Sequence, residues 1–180
     1  YALNRQDLRL RMLNDKAHTV AYLAGFHLAN VVRTLGVLER TQIDLGATNL
    51  IVDLGCGSGA LAQAVAFHVA KRKHLNGLAV HLWDQSKTLR EVASTLLNKQ
   101  FADLPVTAHA DNLGRWPAVI PQLVADAKPK SIIVTLGYFY NEVSAQGRKS
   151  IDQLLEQLRK VDIPVTVIMI ESAQQAMSRA

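Results

Sequence analysis

Leu50-Ile51-Val52-Asp53-Leu54-Gly55-Cys56-Gly57-Ser58-Gly59-Ala60-Leu61 is an apolar run that ends in an acid and three alternate glycines, with a helical pattern directly behind it. A strand that turns this sharply into a helix brings bare backbone close to a ligand, and glycine tolerates both the turn and the approach. The stretch reads as the first strand, loop and helix of an α/β unit, with a ligand at the loop.

The same alternation continues outward. Ala60–Lys73 reads as helix, Leu78–Trp83 as a strand closing on Asp84, and Lys87–Lys99 as a helix with Ser86 at its N-cap. Val106–Ala110 is a short strand ending at Asp111, Pro117–Ala127 a helix, and Ser131–Leu136 a strand. Glu142–Lys160 reads as a helix whose start Gly147 delays, and Pro164–Ile170 as the last clear strand before a short helical tail. Five β–α units in series predict a parallel sheet with helices on both faces. Upstream, apolar residues from Leu10 to Leu35 recur at three- and four-residue steps, so Asp7 to about Leu38 is expected to be one or two amphipathic helices, broken at Gly25 and ended at Gly36. Thr41–Asn49 reads as a polar connection. The chain thus divides into an N-terminal helical segment, 1–48, and an α/β domain, 49–180.

With 180 residues, 49% of them hydrophobic and 19% charged, the chain is the size of one globular domain with a sizeable core. Its longest apolar runs, such as Ile163–Ile170, are strand-length and far short of the roughly 20 residues that span a bilayer, so no membrane partner is expected. The polar opening after Tyr1 lacks a secretory core and reads as a processed or excised start. Cys56 is the single cysteine: it excludes an internal disulfide and a cysteine-rich metal site, and it agrees with a cytoplasmic or other reducing intracellular compartment. No metal is expected, since the six histidines show no ligand spacing. The net charge of +5 would favour a polyanion, although the basic residues are dispersed in short runs such as Lys71-Arg72-Lys73.

The residues around the loop resemble motif I of the class I S-adenosylmethionine-dependent methyltransferases, an acid-x-Gly-x-Gly-x-Gly turn after the first strand, and the resemblance covers roughly Asn49 to Ser172. It implies a Rossmann-like, doubly wound sheet of order 3-2-1-4-5. The family's sixth strand and antiparallel seventh are expected to be missing, because the sequence stops about one helix after the fifth strand. It also implies S-adenosylmethionine as cofactor. Gly55, Cys56, Gly57 and Gly59 would then lie beside its methionine half, with Asp53 orienting the loop and its amine contacts. Asp84 would take the ribose diol, Asp111 and the backbone of Asn112 the adenine edge, and Trp83 or Gln85 would pack near the nucleoside; Leu136, ending the fourth strand, completes the cofactor set. Tyr138, Tyr140, Asn141 and Glu142 stand where the family places groups facing the transferred methyl, and they are the candidate catalytic residues.

Alternatives remain on the residues themselves. Gly55-x-Gly57-x-x-Ala60 also satisfies the dinucleotide fingerprint, and Asp84 suits the acid that follows it, so a nicotinamide-dependent oxidoreductase is a rival. Asp53, Gly59 and Asp111 favour the methyltransferase. A methyltransferase-fold binding or assembly module without activity is a second rival, supported by the missing C-terminal strands and the unfamiliar motif after the fourth strand. Separately, Gly137–Val143 and Ile170-Glu171-Ser172 faintly resemble the methyltransferase-like assembly factors of mitochondrial small ribosomal subunits, whose cysteine cluster is absent here. Asp111-Asn112 could form only a turn, Asn141 could simply cap the next helix, and His109 could be a base or a packed ring. Tyr22 and Phe26 could close over the site as a lid or pack in the core. The methyl acceptor is open between RNA and a small molecule, with the basic pI of about 9.5 leaning to RNA.

Overall fold

The structure, a computed structural model, describes residues 14–41, 45, 49–71, 75–110, 112–138, 140 and 143–171. Helix α1 (Lys16–Thr41) comes first. It is followed by β1 (Leu50–Leu54), α2 (Ala60–Ala70), β2 (Ala79–Trp83), α3 (Lys87–Gln100), β3 (Val106–His109), a 3-10 turn (Leu113–Arg115), α4 (Trp116–Ala127), β4 (Ile132–Gly137), α5 (Ala145–Leu158) and β5 (Val165–Ile170).

The strands form one parallel sheet in the order β3-β2-β1-β4-β5. In register, Asp53 of β1 stands between Leu82 of β2 and Thr135 of β4. Both faces of β1 are buried, which is why it reads as a continuous apolar run rather than an alternating one. Leu50, Val52 and Leu54 pack with Trp116, Ile120, Ile151 and Leu154 of α4 and α5. Ile51, Val80, Leu82 and Ile133 pack on the other face with Val65 and Ala66 of α2, Ala93 and Leu97 of α3, and Leu38 of α1. The order reverses between β1 and β4, so the crevice of this doubly wound fold opens above the β1 loop.

Two elements depart from the sequence expectation. Helix α1 neither breaks at Gly25 nor stops at Gly36: Gly25 lies within a π-helical stretch, Leu23–His27, and the helix resumes to Thr41. Side chains satisfy the backbone of its last turns, Arg40 Nε donating to Gly36 O at 2.9 Å and Thr41 Oγ1 to Val37 O at 2.8 Å. Its apolar residues are not confined to one face, because Val31 and Leu38 are buried while Val20, Leu28 and Val32 are exposed. By length and composition α1 could cross a bilayer, which the strand-length runs of the sequence did not foretell. Its inner face nevertheless belongs to the domain, with Val31 and Leu35 packed on Ala60, Leu61 and Ala64 of α2. Helix α2, covered by the sheet on one side and α1 on the other, is buried nearly all round, with Gln63 and His68 as its polar residues.

Helix α5 starts at Ala145 rather than Glu142, and Gly147 is not what delays it. Ser144 is the N-cap, its hydroxyl accepting Gly147 N–H at 3.2 Å. Gly147 is small because a Cβ there would stand 2.6 Å from Leu113 Cδ2 and 2.9 Å from Val143 Cβ. A Gly→Ala change in a helix would ordinarily gain up to about 1 kcal/mol, but overpacking costs about 1–3 kcal/mol. Because Val143 Cβ sits next to its backbone and yields little, Gly147→Ala is expected to lower stability by about 1–2 kcal/mol in urea unfolding; a gain would mean that this packing is loose.

Candidate functional site

The glycine loop takes its shape from three left-handed residues: Gly55 at φ 63°, Gly57 at 51° and Gly59 at 75°. An L-residue at each would cost about 1–2 kcal/mol, so the alternate glycines are a requirement of the turn. Cys56 N–H donates to Trp83 O at 2.9 Å and Gly59 N–H to Cys56 O at 2.7 Å, which anchors the loop to the end of β2 and closes it on itself. Asp84, one residue past β2, accepts Gly57 N–H through Oδ2 at 2.9 Å and Ser86 N–H through Oδ1 at 2.8 Å. Ser86 in turn caps α3 by accepting Leu89 N–H at 3.2 Å, and Arg90 of that helix donates to the Asp84 carbonyl.

The loop-orienting role expected of Asp53 therefore falls to Asp84. Asp53 is 1% exposed and reaches sideways instead, accepting Thr135 Oγ1–H of β4 at 2.7 Å and Ala62 N–H of α2 at 3.3 Å. Burial raises its carboxyl to about pH 7, with the charge of Asp84 adding to the rise and the two hydrogen bonds opposing it. Cys56 is buried and its thiol is held well above the usual range by burial first and by Asp53 and Asp84 next, so it is no nucleophile.

Helix α1 supplies contacts that the sequence pattern did not reveal. The Tyr22 hydroxyl lies 3.1 Å from where a Gly57 Cβ would stand, so the ring rests on the loop, and the exposed Phe26 ring lies 5.5 Å from it. Of the two readings of this pair, neither ring is core: Tyr22 covers the loop and Phe26 faces outward. The π-helical stretch brings His27 between Ser58 and Gln63, 2.8 Å from each. The Gln63 carbonyl accepts from Nε2, and Nδ1 meets the Ser58 hydroxyl. Asn14 reaches the other end of the site, its Oδ1 accepting Ser86 Oγ–H at 3.0 Å and Thr88 N–H at 3.3 Å.

Trp83 does not face a nucleoside. It is fully buried, stacked on His109 with ring centroids 4.0 Å apart, while Gln85 beside it is exposed. His109 is a packed ring, its Nε2 2.9 Å from His81 Nδ1. Burial, and then the neighbouring His109, lowers His81 to about pH 4. Asn112 is exposed and opens the 3-10 turn, its carbonyl accepting Arg115 N–H at 3.0 Å. Leu136 is fully buried, its side chain in the α4–α5 layer of the core. Tyr138 stands directly after β4 at φ 54°; its N–H donates to Ile170 O at 2.7 Å and its hydroxyl accepts Arg33 Nη1–H at 3.0 Å. Tyr140 turns toward α5, its hydroxyl donating to Asp152 at 3.3 Å, with burial first and Asp152 next raising the phenol pKa. Asp111, Asn141 and Glu142 lie outside the described residues. The cap expected of Asn141 is supplied by Ser144. Among the described residues no group of three metal-ligating side chains converges.

No family model and no curated protein matches the sequence. Solved structures do match in fold. Magnesium protoporphyrin IX methyltransferase from Synechocystis PCC 6803, solved with bound SAM, aligns with a TM-score of 0.54 at 15% identity over 87% of this chain and 73% of that one. Human N-acetylserotonin methyltransferase in complex with SAM gives 0.52 at 16% identity over 87% of this chain and 38% of that one. A SAM-dependent methyltransferase from Leishmania major gives 0.55 at 13% identity over 94% and 68%. The five-stranded parallel sheet of order 3-2-1-4-5 with flanking helices is the class I methyltransferase fold.

Asp53 makes stability depend on pH in a defined direction. Unfolded, it ionises near pH 4; folded, it stays protonated up to about pH 7. The folded state holds the extra proton between these values, so this contribution falls as pH rises through that window and is level above it. Urea unfolding of the parent chain at pH 5 and pH 8 is expected to show this loss, and Asp53→Asn to remove it; equal pH slopes for the two proteins would contradict the assignment.

Proposed function

We propose that the chain is an S-adenosylmethionine-dependent methyltransferase whose cofactor lies across the carboxyl ends of β2 and β1. The observation that carries this reading is the loop itself: three left-handed glycines at the point where strand order reverses, held by the carboxylate of Asp84. A Cβ at Gly59 would stand 2.9 Å from Ala93 Cβ, so a side chain is excluded at that position of the turn. A carboxylate offers about four lone-pair sites, so Asp84 can hold Gly57 and still meet a ribose diol. The start of α2 directs backbone N–H groups and the positive end of its dipole at the same region, where the methionine carboxylate would sit.

The cofactor, when bound, supplies a methyl group activated on a cationic sulfur. The chain's own task is then alignment of the acceptor, with proton removal where the acceptor needs it. Tyr138 after β4 is the described side chain placed for that task. Tyr140, with its hydroxyl engaged by Asp152 on α5, is a support for the segment rather than a reacting group. Relatives of this fold solved with SAM add support for the cofactor.

Titration calorimetry with S-adenosylmethionine tests the reading. The parent chain is expected to bind, and Asp84→Ala to bind roughly tenfold or more weakly, since it loses both the loop anchor and the diol acceptor. No binding by the parent, or tighter binding of NAD, would overturn it. Binding without methyl transfer to any acceptor would assign the chain to the inactive, module class instead.

A further inference from the structure

We propose that Arg33 and Tyr138 form an oxyanion anchor for the methyl acceptor, which is a small molecule carrying one carboxylate or phosphate monoester group. The inference rests on the cofactor reading above, and it places the acceptor at the β4 end of the crevice because Asp84 and the loop take the β2 and β1 ends.

The guanidinium of Arg33 is exposed and directed by two hydrogen bonds from the same nitrogen. Nη1 donates to Asn30 Oδ1 at 3.1 Å and to the Tyr138 hydroxyl at 3.0 Å. Both acceptors are neutral, and among the described residues no carboxylate pairs with Arg33. Three other exposed cations do pair with carboxylates: Lys71 with Glu39, Lys87 with Glu91 and Arg159 with Glu156. Because Nη1 makes both tethers, the edge formed by Nε and Nη2 is left for a ligand, and that edge is the one that pairs two donors with the two oxygens of an oxyanion.

Tyr138 adds a donor beside it. Its hydroxyl accepts from Arg33, so its own proton is available to a neighbouring oxygen. The residue holds a left-handed φ of 54°, which costs a tyrosine about 1–3 kcal/mol, and its N–H bond to Ile170 O keeps it there. A simple tether between α1 and β4 would not need that conformation.

Among the described residues Arg33 is the cation bonded to Tyr138, and a single cation there favours a small acceptor over RNA. An RNA backbone is held by several cations in succession, each meeting a phosphate. No lysine or arginine occurs on α1 from Ala17 to Val32, and Val20, Phe26, Leu28 and Val32 are exposed there instead.

The test uses the full chain with and without S-adenosylhomocysteine, titrated with benzoate, phenyl phosphate and the neutral benzamide and followed by NMR shifts. At least one anion is expected to bind roughly tenfold or more tightly than benzamide, and the one that binds names the group. Arg33→Gln should remove that preference while leaving S-adenosylhomocysteine affinity, read by calorimetry, unchanged. Tyr138→Phe should weaken the anion several-fold, and Lys71→Gln should leave it alone. Equal affinity for benzoate, phenyl phosphate and benzamide, or no effect of Arg33→Gln, would overturn the anchor. A uridine oligonucleotide bound through Arg33 while neither small anion binds would overturn the small-molecule class. A parent chain that takes no S-adenosylhomocysteine counts against the cofactor reading alone, because the anion titration without cofactor is read separately.

Discussion

The Asp84 carboxylate joins the pieces on which the rest of the site depends. One oxygen takes the N–H of Gly57 and the other that of Ser86, so a single side chain sets the glycine loop against the start of α3. The geometry works only because Gly57 is left-handed and presents its N–H outward. Ser86, positioned in this way, caps α3 and binds Asn14 ahead of α1. Loop, helix start and the N-terminal segment are thereby referenced to the end of β2. Bonds to a carboxylate are worth roughly twice their neutral counterparts, which suits a node on which three segments converge.

A second node sits at the opposite edge of the loop. The π-helical turn of α1 advances the helix by one residue and places His27 on Ser58 and Gln63. Such turns store a less favourable backbone geometry and are common where a helix must present a particular side chain. Tyr22, before the turn, rests on Gly57, while Arg33, after it, reaches Tyr138 at the end of β4. An uninterrupted α-helix would rotate one of these sets away from the sheet, since one extra residue changes the facing by about 100°. The winding defect therefore lets one helix address both the glycine loop and the β4 end.

Much of this fold was legible because its signals are local. Apolar runs closing on Asp53 and Asp84, the serine ahead of Lys87 and the glycine triplet each state a strand end, a cap or a turn within a few residues. The winding of α1 was not legible in this way. Gly25 looks like a helix breaker, yet tertiary contacts on α2 carry the helix through it. Nor could spacing assign the two aspartates: Asp53 and Asp84 end neighbouring strands, and only register decides that Asp53 faces Thr135 while Asp84 faces the loop. His27 and Arg33 were invisible as site residues because their partners lie 31 and 105 residues away. Trp83 misled for a related reason, since its place beside Asp84 in sequence says nothing of which sheet face it occupies.

The charge layout across the crevice gives the proposed chemistry a direction. The carboxyls of Asp53 and Asp84 lie beneath and beside the β1 loop with Arg90 bonded to the Asp84 carbonyl, whereas Arg33 is the cation bonded to Tyr138 at the β4 end. Asp53 keeps its proton to about pH 7 because burial and Asp84 disfavour a second negative charge. A cationic ligand placed over the loop would reverse that balance and favour ionised Asp53, so the binding of a sulfonium or ammonium group and the loss of the proton support one another. An anionic acceptor would be drawn toward Arg33 at the other end. A cationic sulfur favoured over the loop and an anionic acceptor favoured at Arg33 would hold donor and acceptor on either side of the point where the sheet order reverses.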